Sequence, residues 1–173
     1  MRFKSVGNKA DHFIGVVKNE EASASIPAGT PLCLVMGKTG YLGWNGTDDG
    51  ISVVLPKTAG AALASSFLYG IATAAIANQS VGEALMFGIG NAILNMGTYT
   101  TGTSSASSTM PAGAILCLDT LNNCLQLASV SLGSGNFVPN LMLAYSMSYP
   151  AITVTSATQT VNTIMAEVFV RLM

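Results

Sequence analysis

Short apolar runs separated by clusters of Gly, Pro, Asn and Asp recur along the chain, and this pattern predicts strands rather than helices. Residues 31–36 (PLCLVM) are apolar at every position, as expected of a strand buried on both faces. Residues 37–40 (GKTG) signal a turn, so residues 41–44 (YLGW) are expected to return as the second strand of a hairpin. The final run, residues 167–172 (EVFVRL), alternates between two faces. The chain is therefore predicted to be mainly β, with at most short helices.

One nine-residue segment occurs twice. Residues 26–34 (IPAGTPLCL) and 110–118 (MPAGAILCL) share six identical positions at an offset of 84 residues, which indicates two copies of one structural unit. Each copy opens on a turn, because proline presets φ for a turn and glycine is favoured at its end. The predicted architecture is a compact β-barrel or β-sandwich-like fold built from two similar β-rich halves. The proposed structural turns are Pro27, Gly29, Trp44, Asp49, Gly50, Pro111 and Gly113.

The repeat divides the chain into four parts. Residues 1–21 are interpreted as an extended N-terminal arm, residues 22–97 as the first half, residues 98–109 as a Ser/Thr-rich connector and residues 110–173 as the second half. Further apolar runs follow each predicted hairpin, and the two halves are expected to pack as one domain.

The predicted arm is unusual in its charge. Seven of the fifteen charged residues fall within the first 21 positions. This segment can be read as a disordered tail or as an extended element that becomes ordered on a partner surface, and the sequence leaves both readings open. The candidate contact residues are Arg2, Phe3, Lys4, Lys9, Phe13 and Lys18.

Composition narrows the class of partner. Half of the residues are hydrophobic and only 9 % are charged, so little electrostatic repulsion opposes association with other protein surfaces. A net charge of −1 offers no general attraction to phosphate, and a nucleic-acid partner is not expected. The N-terminal residues lack the apolar run of a secretory signal, so synthesis is expected in a reducing cytoplasm.

No residue pattern indicates catalysis, a metal or a cofactor. The single histidine, His12, lies in the predicted arm and is expected to be a solvated side chain. Cys33 and Cys117 are predicted to be buried, whereas Cys124 is expected at the surface. Residues 48–49 pair two aspartates, but they lack the spacing of a calcium loop and are assigned to a turn. The chain is predicted not to be an enzyme.

Residues 58–82 contain no charge and are long enough to cross a bilayer, which raises a small membrane protein as an alternative. Polar side chains interrupt this stretch, among them Ser65, Ser66, Thr73, Asn78 and Gln79, and its flanks carry no cluster of basic residues. A membrane association is therefore not expected.

The chain resembles two related groups of tailed-phage proteins. The segment from residue 26 to residue 50 is similar to the head-decoration protein of lambda-like phages, and the matching positions are Pro27, Thr30, Pro31, Leu32, Trp44, Gly46, Thr47, Asp49 and Gly50, with Asn45 in place of an aspartate. Residues 67–72 (FLYGIA) and 82–88 (GEALMFG) are similar to the related capsid-cement family.

The resemblance implies a structural virion protein on the outer surface of the phage head. Such a protein would bind the major capsid protein, cement neighbouring capsid subunits and stabilise the expanded shell, using the N-terminal arm as a contact element. It also implies a homo-oligomer, with a trimer favoured over a dimer. Because this chain is internally duplicated, its two fused units could replace separate subunits and give a dimer or a monomer. The alternative is another self-assembling phage protein, such as a tail or fibre component.

Overall fold

The computed structural model describes residues 12–35, 51–57, 68–99, 106–119, 121–128, 144–154 and 160–171. Every element within these ranges is a strand, which confirms the prediction of a mainly β fold. The strands are β1 (Phe13–Asn19), β2 (Pro31–Leu34), β3 (Ser52–Val54), β4 (Leu68–Ala72), β5 (Val81–Tyr99), β6 (Ala106–Thr109), β7 (Ile115–Asp119), β8 (Cys124–Leu127), β9 (Ala144–Ser146), β10 (Ala151–Val154) and β11 (Thr160–Arg171).

Five strands of the first half close into a ring. The order around the ring is β1, β3, β2, β4 and β5, and β5 pairs again with β1. The β1–β3 pair is parallel, and the other four pairs are antiparallel. Closure leaves no unpaired strand edge within the ring, which is how small barrels satisfy their backbone hydrogen bonds.

The second half repeats this ring with its own strands. The order is β5, β8, β7, β9 and β11, and β11 pairs again with β5. Here too the pair that corresponds to β1–β3, namely β5–β8, is parallel, and the other four pairs are antiparallel. Strand β5 therefore closes the first barrel and opens the second, and the predicted construction from two similar β-rich halves is confirmed. Strands β6 and β10 form a separate antiparallel pair.

The registers of the two rings match residue by residue. Pro31 lies opposite Ile71 in the first ring, and Ile115 lies opposite Tyr145 in the second. On the next strand pair, Ile71 lies opposite Leu85, and Tyr145 lies opposite Phe169. Pro31 and Ile115, like Leu85 and Phe169, are separated by the same 84 residues as the sequence repeat. Ile71 and Tyr145 are separated by 74 residues, so the structural repeat extends beyond the nine-residue segment but not at one fixed offset.

Strand β5 can serve both rings because it turns a corner at Gly88. A Cβ atom added at Gly90 would lie 2.5 Å from the Cδ2 atom of Leu85, five positions earlier. Five residues of extended strand span roughly 16 Å, so the strand must bend sharply between these two positions. Gly88 has a φ of 113°, which side chains other than glycine rarely adopt, and it is suited to a bend of this kind.

The first ring contributes to two hydrophobic cores. Alternate strand residues point to opposite faces, and one set forms a core made only of first-half residues: Val17, Ile26, Leu32, Val53, Ala72, Ile76 and Ala84. The other set, Cys33, Val54, Ile71 and Leu85, joins a larger core that also contains second-half residues such as Leu116, Leu125 and Val168. Both faces of the first ring therefore contribute residues to a buried core.

Two predicted boundaries differ from the structure. Residues 1–21 were expected to form an arm, yet residues 13–19 form β1, because Val17 and Asn19 are fully buried and β1 closes the first ring. The side-chain amide of Asn19 donates to the carbonyl oxygens of Ala24, Ile76 and Ala77 at 3.0–3.2 Å, which fixes the end of this strand.

The predicted connector, residues 98–109, also differs. The end of β5 and strand β6 fall within it, and β6 is held by its register with β10. The first half was expected to end at residue 97, but β5 is shared between the two rings. The expected hairpin return at residues 41–44 lies outside the described residues, and the described partners of β2 are β3 and β4.

The two Pro-Ala-Gly turns have the same backbone but different surroundings. Gly29 and Gly113 have φ values of 76° and 79°. Their amides donate to equivalent carbonyl oxygens, of Ala72 at 2.8 Å and of Ser146 at 2.7 Å. A Cβ atom at Gly29 would lie 2.6 Å from Met165, whereas one at Gly113 would have nothing within 4 Å. The first turn is packed against the second half, and the second turn has no such neighbour.

This difference gives a matched pair of variants. Gly29→Ala and Gly113→Ala should each lower the free energy of unfolding by about 1 kcal/mol, because alanine is strained at positive φ. Gly29→Ala should cost more, since its methyl group must also displace the Met165 side chain from the turn. Urea denaturation of both variants measures the difference. If Gly113→Ala were equally or more destabilising, the packing of the first turn would contribute nothing.

Candidate interaction surface

The described residues contain no group of three or more His, Cys, Asp or Glu side chains that could hold a metal ion. His12 is exposed at the start of β1. All three cysteines are buried and none forms a disulfide, and burial raises the pKa of Cys33 to about 12. A thiol with such a pKa stays protonated at neutral pH, so it is a poor nucleophile and a poor metal ligand.

The expectation that Cys124 is exposed was wrong. Its side chain is fully buried, and its sulfur lies 3.7 Å from Oδ2 of Asp119. Burial, and after it the neighbouring Asp119 carboxylate, raises the pKa of Cys124 to about 12. The sequence pattern placed Cys124 next to a polar turn, but the β7–β8 register turns it inward.

The Asp119 carboxylate organises the turn between β7 and β8. Its Oδ1 atom accepts from the amides of Leu121 at 2.9 Å and Asn122 at 3.2 Å. Its Oδ2 atom accepts from the side-chain amides of Asn95 at 2.6 Å and Asn122 at 2.8 Å. Burial raises the pKa of this carboxyl group, but the hydrogen bonds from Asn122, Asn95 and the two backbone amides outweigh it and lower the pKa overall. Asp119 is therefore a structural residue that also ties the turn to β5.

The described part of the predicted contact arm belongs to the barrel wall. Phe13 and Lys18 lie on β1, opposite Phe87 and Val81 of β5. The Lys18 ammonium group forms an ion pair with Glu20. The other four predicted contact residues, Arg2, Phe3, Lys4 and Lys9, lie outside the described residues.

The predicted structural turns are placed in part. Pro27 and Gly29 lie in one turn, where the Thr30 amide donates to the Pro27 carbonyl oxygen at 3.3 Å. Pro111 and Gly113 lie in the equivalent turn, closed by the Ala114 amide and the Pro111 oxygen at 3.1 Å. The remaining predicted turn residues, Trp44, Asp49 and Gly50, lie outside the described residues.

Exposed apolar side chains cover one outer wall of the first barrel. Val16 is 57 % exposed and Val81 is 64 % exposed. Lys18 lies opposite Val81 and shares its face, and Ile14, which is also exposed, lies two residues before Val16. We call Ile14, Val16, Lys18, Val81 and Glu83, which lies exposed opposite Val16, the outer β1–β5 face. Its apolar residues turn away from the buried Val17.

A second apolar surface is aromatic and lies on the second half. The rings of Phe87 and Phe169 meet edge to face with their centroids 5.4 Å apart. Tyr145 lies opposite Phe169 on β9, and both side chains are half-buried. The equivalent first-half residues, Ile71 and Leu85, are buried in the larger core. The second half therefore exposes part of a surface that the first half uses for internal packing, and we call Phe87, Tyr145 and Phe169 the aromatic surface.

The sequence reasoning missed both surfaces. Residues 13–17 (FIGVV) are apolar at every position, which is the pattern of a strand with two apolar faces, and this signal could have identified β1. The aromatic surface had no local signal, because Phe87, Tyr145 and Phe169 lie on three different strands.

Comparison with known proteins assigns no family. A scan against protein-family models returns no match, and a search of curated proteins returns none either. The outcome leaves the resemblance to phage decoration proteins as an interpretation of the sequence.

The alternative of a membrane protein rested on residues 58–82. The described part of this stretch contains β4 and the start of β5. No helix among the residues that the structure describes is sufficiently long and apolar to cross a membrane.

The lowered pKa of Asp119 predicts a pH-dependent contribution to stability. A carboxyl group with a lower pKa in the folded state stabilises the fold fully above the unfolded pKa of about 3.9, and loses this contribution as the pH falls towards the folded value. Asp119→Asn should lower the free energy of unfolding by about 1–3 kcal/mol at neutral pH, because an amide nitrogen would face donors. The loss should shrink at low pH.

Urea denaturation at pH 7 and at about pH 2.5 measures this effect. Glu83→Gln is the control, because Glu83 is exposed on β5 and its replacement removes the same charge. A destabilisation by Asp119→Asn that did not change with pH would contradict the assigned role of the carboxylate.

Proposed function

We propose that this protein is a structural virion component that binds the outer surface of a phage head and cements neighbouring major-capsid subunits. The proposal rests first on the resemblance of residues 26–50 and 67–88 to phage decoration and cement proteins. A duplicated β-barrel is compatible with that role, because a decoration protein needs a rigid scaffold that presents contact surfaces.

The aromatic surface is the observation that carries the proposal. Phe87 is 37 % exposed, and its ring packs against the half-buried Phe169. Aromatic side chains are enriched at protein interfaces, where they bury large areas at low entropic cost. Because Phe87 and Phe169 are held on adjacent paired strands, they would meet a partner without reorganisation.

The N-terminal residues are the second proposed contact. Arg2, Lys4 and Lys9 carry positive charge and precede β1 in the sequence, and Ile14, the second residue of β1, is exposed on the outer wall of the barrel. A segment leaving from this position could extend over a neighbouring capsid subunit. The proposed location is thus the outer surface of the head, after synthesis in the host cytoplasm. The proposed assembly is a homo-oligomer, with a trimer favoured over a dimer.

Cementing of this kind requires contact area and no reaction. Stable interfaces bury about 1,200–2,000 Å² in total. The stabilising effects of many copies bound to one shell add up. Only 9 % of the residues are charged, so the desolvation cost of such contacts is low. No cofactor is required.

Removal of residues 1–11 tests the contact role of this segment. The barrel closes through β1, so a chain that starts at His12 should keep the free energy of unfolding of the full chain. It should bind expanded heads at least about tenfold more weakly, because the charged contact element is gone. Co-sedimentation with purified expanded heads measures binding, and urea denaturation checks the fold.

A charge variant and the full-length chain serve as the two controls. The variant with Arg2, Lys4 and Lys9 all replaced by alanine separates charge from the rest of the segment. Unchanged binding by the truncated chain would contradict the role of the segment. Failure of the full-length chain to bind expanded heads would contradict the cement function and favour a tail or fibre component.

A further inference from the structure

Among the described residues, a turn of the first half contacts a strand face of the second half. Each half carries both kinds of surface, the turn and the strand face that receives it. In this contact, the Pro-Ala-Gly turn of the first half packs on the β5–β11 pair of the second half. The Ile93 amide donates to the Gly29 carbonyl oxygen at 2.8 Å, and Met165 lies against Gly29. Ile93 and Met165 are register partners across the two strands.

The ring equivalence identifies the corresponding site on the first half. Gly15 lies opposite Ala84 in the first ring, and Gly90 lies opposite Val168 in the second. Counting three residues along each strand from these pairs leads to Lys18 opposite Val81 in the first ring and to Ile93 opposite Met165 in the second. The outer β1–β5 face is therefore the first-half counterpart of the surface that receives the turn.

The corresponding turn on the second half is also open. Pro111, Ala112 and Gly113 are all exposed, and a Cβ atom at Gly113 would meet nothing within 4 Å. Val16 and Val81 on the outer β1–β5 face are 57 % and 64 % exposed. The second turn and the first-half face thus do not contact each other within one chain. A contact between two different surfaces, such as this turn and this face, is heterologous. Such a contact can join one copy of the chain to the next.

We propose that this protein self-associates head to tail, with the second Pro-Ala-Gly turn of one copy packed on the outer β1–β5 face of a second copy. The occupant is a second copy of this chain because the turn already packs on the equivalent surface inside the chain. The inference assigns a contact to the proposed homo-oligomer, and its test requires no capsid, so its failure is distinguishable from failure to bind heads.

The intermolecular contact would rest on side-chain packing. The Lys18 amide donates to the Ile51 carbonyl oxygen at 2.8 Å, so it cannot reproduce the bond that Ile93 makes. The aliphatic part of Lys18 can still pack against a turn while its ammonium group stays with Glu20. The association is therefore expected to be weaker than the contact within the chain and to depend on concentration.

Two variants each remove one side of the contact. Val81→Asp places a charge on the outer β1–β5 face, and Ala112→Asp places one on the second turn. Each change lies at an exposed position, so each variant should fold as the wild type does. Each alone should lower the association constant by about tenfold or more, because the introduced carboxylate would have to lose its hydration when the contact forms. Leu121→Asp, at a position 76 % exposed on the β7–β8 turn, is the control and should associate like the wild type.

Sedimentation velocity without heads measures the result, and mixing the two variants gives the sharpest test. A Val81→Asp chain keeps an intact turn and an Ala112→Asp chain keeps an intact face, so an equal mixture should form one-to-one dimers that do not grow. A wild type that stays monomeric at every soluble concentration would overturn the proposal. Variants that associate like the wild type, or a mixture that stays monomeric, would overturn it as well.

Discussion

The whole structure depends on one strand that pairs in two closed rings. Small barrels are stable only if every strand edge finds a partner, because an unpaired row of amides and carbonyls is costly when buried and invites aggregation when exposed. β5 meets this requirement for both halves by turning at Gly88, so that one part closes on β1 and the other on β11. The two barrels consequently share backbone hydrogen bonds as well as side-chain packing. Neither ring is closed without this strand.

The sequence pattern predicted the β class and the twofold repeat, because short segments of the sequence carry both signals. The Pro-Ala-Gly segments recur at a fixed offset, and equivalent residues of the two rings such as Leu85 and Phe169 preserve it in space. The shared strand could not be predicted this way, since which half β5 belongs to depends on pairing between distant residues. The burial of Cys124 and the aromatic surface have the same origin, because each depends on the register between strands that are apart in sequence.

The two halves share a fold but differ in what they leave exposed. Ile71 and Leu85 are aliphatic and buried in the first half, whereas Tyr145 and Phe169 stand at the same positions in the second half and are half-buried. Gly29 is packed and Gly113 is open. Duplication thus produces one set of surfaces that holds the chain together and an equivalent set that remains available for partners. This asymmetry supports the proposed role in assembly, which needs surfaces and no reactive group.

Native-state hydrogen exchange tests the central claim that β5 joins the two barrels into one cooperative unit. The amides of Leu32 and Val53 report on the first core, and those of Leu116 and Leu125 report on the second. If both rings depend on β5, these amides should exchange through global unfolding with the same free energy of opening. Exchange of the Leu32 and Val53 amides at a clearly lower free energy than the other two would show that the first barrel opens by itself, and would contradict the claim.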